Sequence, residues 1–231
     1  MRNLLFAALF NLSTITAADS ADAVKHLARP SNGPIKVAFV LSENATVIDF
    51  AGPWEVFQDV MVQGQMPFEL YTVAPSKKPL HTSGGKGITI TPDYDFDDAP
   101  EPDLVVIGAQ KGSPEFSGWL RKVHGDNKII MSVCTGAFKV AAAGLLSGKQ
   151  ATTHHDYADK LATQYPDVKV VRSVRYVQSD PTIYTAGGLT SGVDLALHIV
   201  DEYFGRETAQ KTADYMEYQS SGWKKESIGT N

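Results

Sequence analysis

The one cysteine of the chain, Cys134, stands where the apolar run Lys128–Val133 (KIIMSV) ends and Thr135-Gly136-Ala137 begins. Such a run reads as a central strand and the small residues after it open a helix. The sulfur would then be raised at the carboxyl edge of a sheet on a tight strand-to-helix turn, the logic of a nucleophile elbow without its G-x-S-x-G pattern. Free cysteine is more often a small buried hydrophobe; what favours a reactive thiol here is the position at the strand's end. An ordinary thiol, with a pKa of about 8.5, is only a few per cent thiolate at neutral pH. Unsatisfied N–H groups at a helix N-terminus stabilise the anion, so the turn itself is expected to lower the thiol's pKa.

A carboxylate belongs with such a thiol, and VIDFAGPWEVF, Val47–Phe57, offers two. Pro53 suits the first turn of a helix, which places Asp49 in the loop leading into it. That loop leaves the first strand, so Asp49 can approach the sheet edge that carries Cys134, where it could share the thiol's proton or hold and activate water. Glu55, inside the helix, reads as a solvated or structural charge, with support of the reacting pair as its alternative. His154 and His155 follow the next strand, and backbone hydrogen bonding at a strand end is their expected role, His154 being also a candidate to support the site. Arg172, Arg175 and His198 receive no role. A single cysteine and six histidines without paired ligand spacing predict no zinc site. No phosphate-cradling P-loop or dinucleotide fingerprint is present, so no cofactor is expected.

The elements that must position these residues follow from periodicity. Ile35–Ser42, Phe68–Ala74, Asp103–Gly108, Lys128–Val133 and Ile183–Ala186 read as strands, and DLVVIG is apolar throughout, as a strand buried on both faces is. Helices are predicted at Ile48–Gln63, Pro114–His124, Gly136–Leu146, Tyr157–Tyr165, Ser191–Phe204 and Arg206–Tyr218. Shorter strands are expected at Ala151–Thr153, Val168–Val171 and Arg175–Ser179. A strand pair is expected around Gly84-Gly85, and Pro92–Pro102 reads as an acidic loop. This alternation predicts one doubly wound α/β domain with a mostly parallel sheet and helices on both faces. Ligands in such sheets sit at the carboxyl ends of the strands.

The 231 residues, 43% of them hydrophobic, suffice for one domain of this kind. A net charge of -5 and the lack of a basic run exclude an electrostatic footprint for nucleic acid. Residues 1–23 pair Arg2 with a short apolar run and small residues near Ala17, Ala18 and Ala23, the pattern of a secretory signal. Residues 24–34 then read as a linker, 35–220 as the domain and 221–231 as a C-terminal tail. The expectation is a secreted or periplasmic protein, with no membrane association once the signal is removed.

IDFAGPWEVF, DLVVIGAQKG, SVCTGAFKVAAAGLLSGKQATTHH and TAGGLTSGVDLALHIV together resemble the ThiJ/PfpI superfamily of class I glutamine amidotransferase-like domains, over about Ile35 to Arg206. The branch resembled holds isonitrile hydratases and the ligand-binding domains of AraC-type regulators, and its fold is flavodoxin-like. The resemblance implies Cys134 as nucleophile, Asp49 as the acid that contacts it, and Thr135 as a residue whose amide and hydroxyl help bind substrate. Gly108 and the following residue match a pair of glycines whose amides form an oxyanion hole. The second of them is Ala109 here, and Gly136 is grouped with the substrate-binding positions. Thr135 stands where the peptidase-like branch has His, which argues against peptidase activity. The expected activity is hydration of a small isonitrile to a formamide. A glyoxalase-like conversion of a dicarbonyl, or an extracytoplasmic ligand or redox sensor without a DNA-binding module, are the alternatives. A homodimer binding a small-molecule substrate is implied by the resemblance alone.

Overall fold

The structure is a computed structural model that describes residues 27–225. The signal assigned to residues 1–23 lies outside them. The first strand, β1 (Ile35–Val40), leads into helix α1 (Val47–Gln58), followed by β2 (Phe68–Ala74), the short hairpin β3 (Leu80–His81) and β4 (Thr89–Ile90), and β5 (Tyr94–Asp95). Next come β6 (Leu104–Ile107), α2 (Pro114–Val123), β7 (Ile129–Ser132) and, after a 3-10 turn at Cys134–Gly136, α3 (Ala137–Ala142). The chain closes with β8 (Gln150–Ala151), α4 (Ala158–Gln164), β9 (Lys169–Val170), β10 (Tyr176–Asp180), β11 (Ile183–Ala186), α5 (Ser191–Phe204) and α6 (Arg206–Tyr215).

Seven strands form one sheet in the order β10-β11-β7-β6-β1-β2-β5. All neighbours pair parallel except β10 with β11. Alternation along each strand divides the core between its two faces. Val37 and Phe39 of β1, with Val106 of β6 and Met131 of β7, pack beneath α1, α5 and α6. Ala38, Val40, Val105 and Ile130 pack against α2, α3 and α4 on the other face. The chain runs from β1 outward to β2 and then returns to the far side of β1 as β6, which puts the topological switch point between β1 and β6.

Three sequence expectations are corrected. Asp49 is not in a loop: α1 begins at Val47, and Asp49 lies in its first turn with Pro53 inside the helix. Proline there removes one helical hydrogen bond, the donor to the Asp49 carbonyl. The helix survives because its ring fills the crossing with α5, where a Cβ on Gly192 would lie 3.4 Å from Pro53 Cγ and one on Gly52 would lie 2.9 Å from Val193. Helix α1 also stops at Gln58 rather than Gln63, and the acidic loop contains β5, which pairs with the end of β2. Aspartate-rich sequence disguised that strand, whose carboxylates are taken up by backbone amides: Asp95 Oδ1 accepts from Asp97 N at 3.0 Å in the following turn, and Asp93 Oδ2 from Thr72 N of β2 at 2.8 Å.

The packed body reaches beyond 35–220 on both sides. Leu27 N donates to Glu202 O at 2.8 Å, and Arg29 lies over the Phe204 ring. At the other end Trp223 is 1% exposed. The strap from 216 to 225 is anchored on a carboxylate of α5: Asp194, fully buried, accepts from Arg175 Nε and, at 2.9 Å, from Ser220 Oγ. Gly222 passes so close that an added Cβ would sit 2.5 Å from Asp194 Oδ2. The same strap reaches Thr190, whose carbonyl accepts from Tyr218 OH at 3.3 Å.

Candidate active site

Three chain crossings at the carboxyl end of the sheet bring the site together. The elbow is built by pinning the backbone on both sides of the cysteine. Val133 N donates to Ile107 O and Cys134 N to Gly187 O, both at 2.8 Å, while Thr153 Oγ1 donates to Cys134 O at 2.8 Å. Between these anchors Cys134 takes φ 58, a left-handed conformation that disfavours any residue with a Cβ. Gly136 lets the turn lie against β6, since a Cβ there would fall 2.2 Å from the Ile107 carbonyl oxygen.

Asp49 enters from α1 and is fully buried. Gly108, just past β6, admits it: a Cβ at 108 would lie 2.7 Å from Asp49 Cβ. Ala109 N donates to Asp49 Oδ2 at 2.9 Å, so this amide is committed to the carboxylate and is not turned toward a substrate oxyanion. Oδ1 of Asp49 has no partner at hydrogen-bonding geometry, yet the thiol of Cys134 lies close enough to act on the carboxylate. Catalytic hydrogen bonds are commonly loose before substrate binds.

The electrostatics reverse the expectation of a depressed thiol. Burial, reinforced by the negative charge of Asp49, pushes Cys134 up to about 12 against the pull of the Thr135 and Leu189 amides. A three-residue 3-10 turn followed by a six-residue helix is too short to offset that burial. Burial likewise raises Asp49 to about 6, opposed by the Ala109 amide, the thiol and the Leu189 amide. Near neutral pH the resting pair is therefore thiol and carboxylate, a nucleophile with a base beside it.

Two neighbours were not singled out in the sequence. Leu189, at φ 55 and 42% exposed, aims its amide at both members of the pair; the GGLTSG stretch was read as packing, and its only signal is a non-glycine residue amid glycines. Lys139 on α3 is half-buried, its pKa lowered by burial against an opposing attraction from Cys134. A lone lysine in the apolar AFKVAAAGLL was the available signal. Thr135 is half-buried beside the sulfur. Glu55 is exposed, about 120° round the helix from Asp49, and stands apart from the pair. His154 caps the turn His155–Tyr157 and abuts Gly188, whose added Cβ would meet the ring at 2.2 Å. His198 is buried and stacked on Tyr176, and burial lowers its pKa to about 4.

A cavity of about 660 Å³ opens beside the elbow, walled by Thr153, His154, Arg172, Arg175, Gly188 and Leu189. A larger one of about 780 Å³ lies at the amino ends of β1 and β2, among Arg29, Ile35, Met66 and Phe204, away from every group described above.

The DJ-1/PfpI family model matches residues 35–202. The chain belongs to the DJ-1/PfpI family. An isonitrile hydratase from Pseudomonas putida is 30% identical over 190 residues, spanning 80% of this chain and 78% of that one. The HTH-type transcriptional regulator GbdR of Pseudomonas aeruginosa is 27% identical over 82% of this chain, which spans only 53% of the regulator's length. Among solved structures, a ThiJ/PfpI family protein from Pseudomonas syringae superposes with TM-score 0.70 at 25% identity, covering 93% of this chain and 85% of that one. Drosophila melanogaster DJ-1beta shares the fold, with TM-score 0.65 at 18% identity, over 81% of this chain and all of that one. DJ-1/PfpI membership accounts for the single domain with a mostly parallel central sheet.

Proposed function

We propose that the protein is a cysteine-dependent enzyme that hydrates a small isonitrile. The observation carrying this reading is the buried Cys134–Asp49 pair on a left-handed elbow beside a cavity. Similarity to an isonitrile hydratase supports the substrate class. Sulfur attacks the terminal carbon of R–N≡C while Asp49 takes the thiol proton and passes it to that carbon, giving a thioimidate, R–N=CH–S–Cys134. Water then adds to the same carbon, the C–S bond breaks, the thiol recovers its proton, and R–NH–CHO leaves. The Thr135 and Leu189 amides, already directed at the sulfur, would stabilise negative charge developing next to it. An exported, homodimeric protein remains part of this reading.

Incubation with an alkyl isonitrile, followed by chromatography, is expected to give the N-alkylformamide from the parent protein and none from Cys134→Ala. Formamide made equally by both proteins overturns the proposal. Lactate formed from methylglyoxal in its place moves the chemistry to a dicarbonyl. A second reading, ligand sensing, draws on the regulators among the relatives; saturable isonitrile binding without turnover by the parent would favour it.

The pair also sets a pH dependence. Asp49 must be ionised to take the proton, so kcat/KM should be flat near neutrality and fall about tenfold per pH unit below about 6 as one proton binds. A profile flat down to pH 4.5 would exclude Asp49 as the base.

A further inference from the structure

The histidine pair was expected only to bond the backbone at a strand end, and its surroundings point to a further role. Among the described residues, one group places three metal-ligating side chains together: His154, His155 and Asp156, with a ligand atom from each within 4.8 Å of the others. We propose that this turn is a binding site for a borderline divalent cation of the Zn²⁺ or Cu²⁺ type, held by two imidazoles and one carboxylate at the rim of the cavity beside Cys134.

The spacing suits such an ion. Tetrahedral coordination with bonds of about 2.1 Å puts neighbouring ligand atoms about 3.4 Å apart. Asp156 Oδ1 lies 3.1 Å from His155 Nε2, and its Oδ2 lies 3.7 Å from His154 Nδ1, bracketing that value. His154 is held in place by contact with Gly188 and by Tyr157, whose ring stands edge-on at 5.9 Å. Its Nδ1 lone pair accepts a long, 3.3 Å hydrogen bond from Asp156 N, and a bound ion would take the place of that weak cap. The rings of His154 and His155 are stacked at 4.4 Å, and lone pairs of near-parallel rings do not converge. The His155 side chain is 83% exposed, so its ring can swing out of the stack and complete the set without disturbing the core. A mixed imidazole and carboxylate donor set selects borderline divalent ions over Ca²⁺ or Mg²⁺. Both histidines line the 660 Å³ cavity, so a remaining coordination position would open toward it. The site differs from the zinc motifs that the sequence lacks: its ligands are consecutive, brought together by a 3-10 turn rather than by spacing on a helix.

Isothermal titration of the apo-protein with ZnCl2, and separately with CuSO4, tests this. One ion per chain is expected, with affinity reduced about tenfold or more in both His155→Ala and Asp156→Asn and unchanged in Cys134→Ser. Three outcomes overturn the proposal: no saturable binding by the parent up to about 1 mM metal, undiminished binding by both His155→Ala and Asp156→Asn, or loss of binding in Cys134→Ser, which would place the ion at the thiol.

Discussion

Asp49→Asn is expected to cut turnover by about two orders of magnitude or more and, at pH 7, to make the protein more stable. Asp49 is fully buried, and burial raises its carboxyl from 3.8 to about 6. A carboxylic acid whose folded pKa lies above its unfolded value binds more protons in the folded state between those limits, so folding is favoured as pH falls from about 6 to about 4 and disfavoured as it rises. Above pH 6 the full penalty is present. Two units correspond to about 3 kcal/mol at 1.36 kcal/mol per unit. Asparagine keeps an oxygen to accept from the Ala109 amide and carries no charge to desolvate. Urea denaturation at pH 7 should therefore show a gain approaching 3 kcal/mol for the variant, shrinking as pH is lowered to 4. On the proposed mechanism, which assigns the general base to Asp49, turnover should fall by a factor of about 100 or more. A variant less stable than the parent at pH 7 would mean that the carboxylate is held by attractions that outweigh its burial.

The second large effect concerns backbone clearance at the elbow. Gly136→Ala would place a methyl carbon 2.2 Å from the Ile107 carbonyl oxygen, with the Ile107 carbonyl carbon and Gly108 oxygen also within about 3 Å. All three are backbone atoms, so either the end of β6 or the turn carrying Cys134 must move. We expect a loss of about 3 kcal/mol, or about 6–12 °C in Tm for a domain of this size. Gly118→Ala is the matched control. That glycine lies inside α2, with nothing within 4 Å of an added Cβ, so alanine should stabilise by about 0.5–1 kcal/mol through helix propensity. Calorimetry showing equal shifts for the two variants would refute a steric requirement at 136.

The strongest strands were legible because burial on both faces leaves a plain signature: LVVI of β6 is apolar end to end, and the alternation of strands with helices announced a mostly parallel sheet. The place of Cys134 at the end of β7 was legible for the same reason. What escaped was whatever depends on partners remote in sequence. Pro53 was taken as a helix start because its local preference says so; only the crossing with α5 makes it tolerable seven residues into α1. The thiol was expected to be acidified by its helix, but burial outweighs the helix, reinforced by the negative charge of Asp49 from another helix far away in the chain. Leu189 acts through its amide, and a backbone donor leaves no trace in side-chain chemistry. Trp223 was assigned to a tail because the polar residues around it hid its role as a core residue.

The anchor on Asp194 joins ends of the molecule that have no local reason to communicate. Arg175 Nη2 donates to Thr190 Oγ1 at 3.1 Å while its Nε holds Asp194, and Tyr218 and Ser220 of the strap grip Thr190 and Asp194. Thr190 follows Leu189, whose amide faces the sulfur. The C-terminal strap thus braces one wall of the cavity beside Cys134 from behind, and unseating it is expected to free that wall. The rate at which Cys134 consumes an alkylating reagent becomes a chemical gauge of whether the far end of the chain is docked.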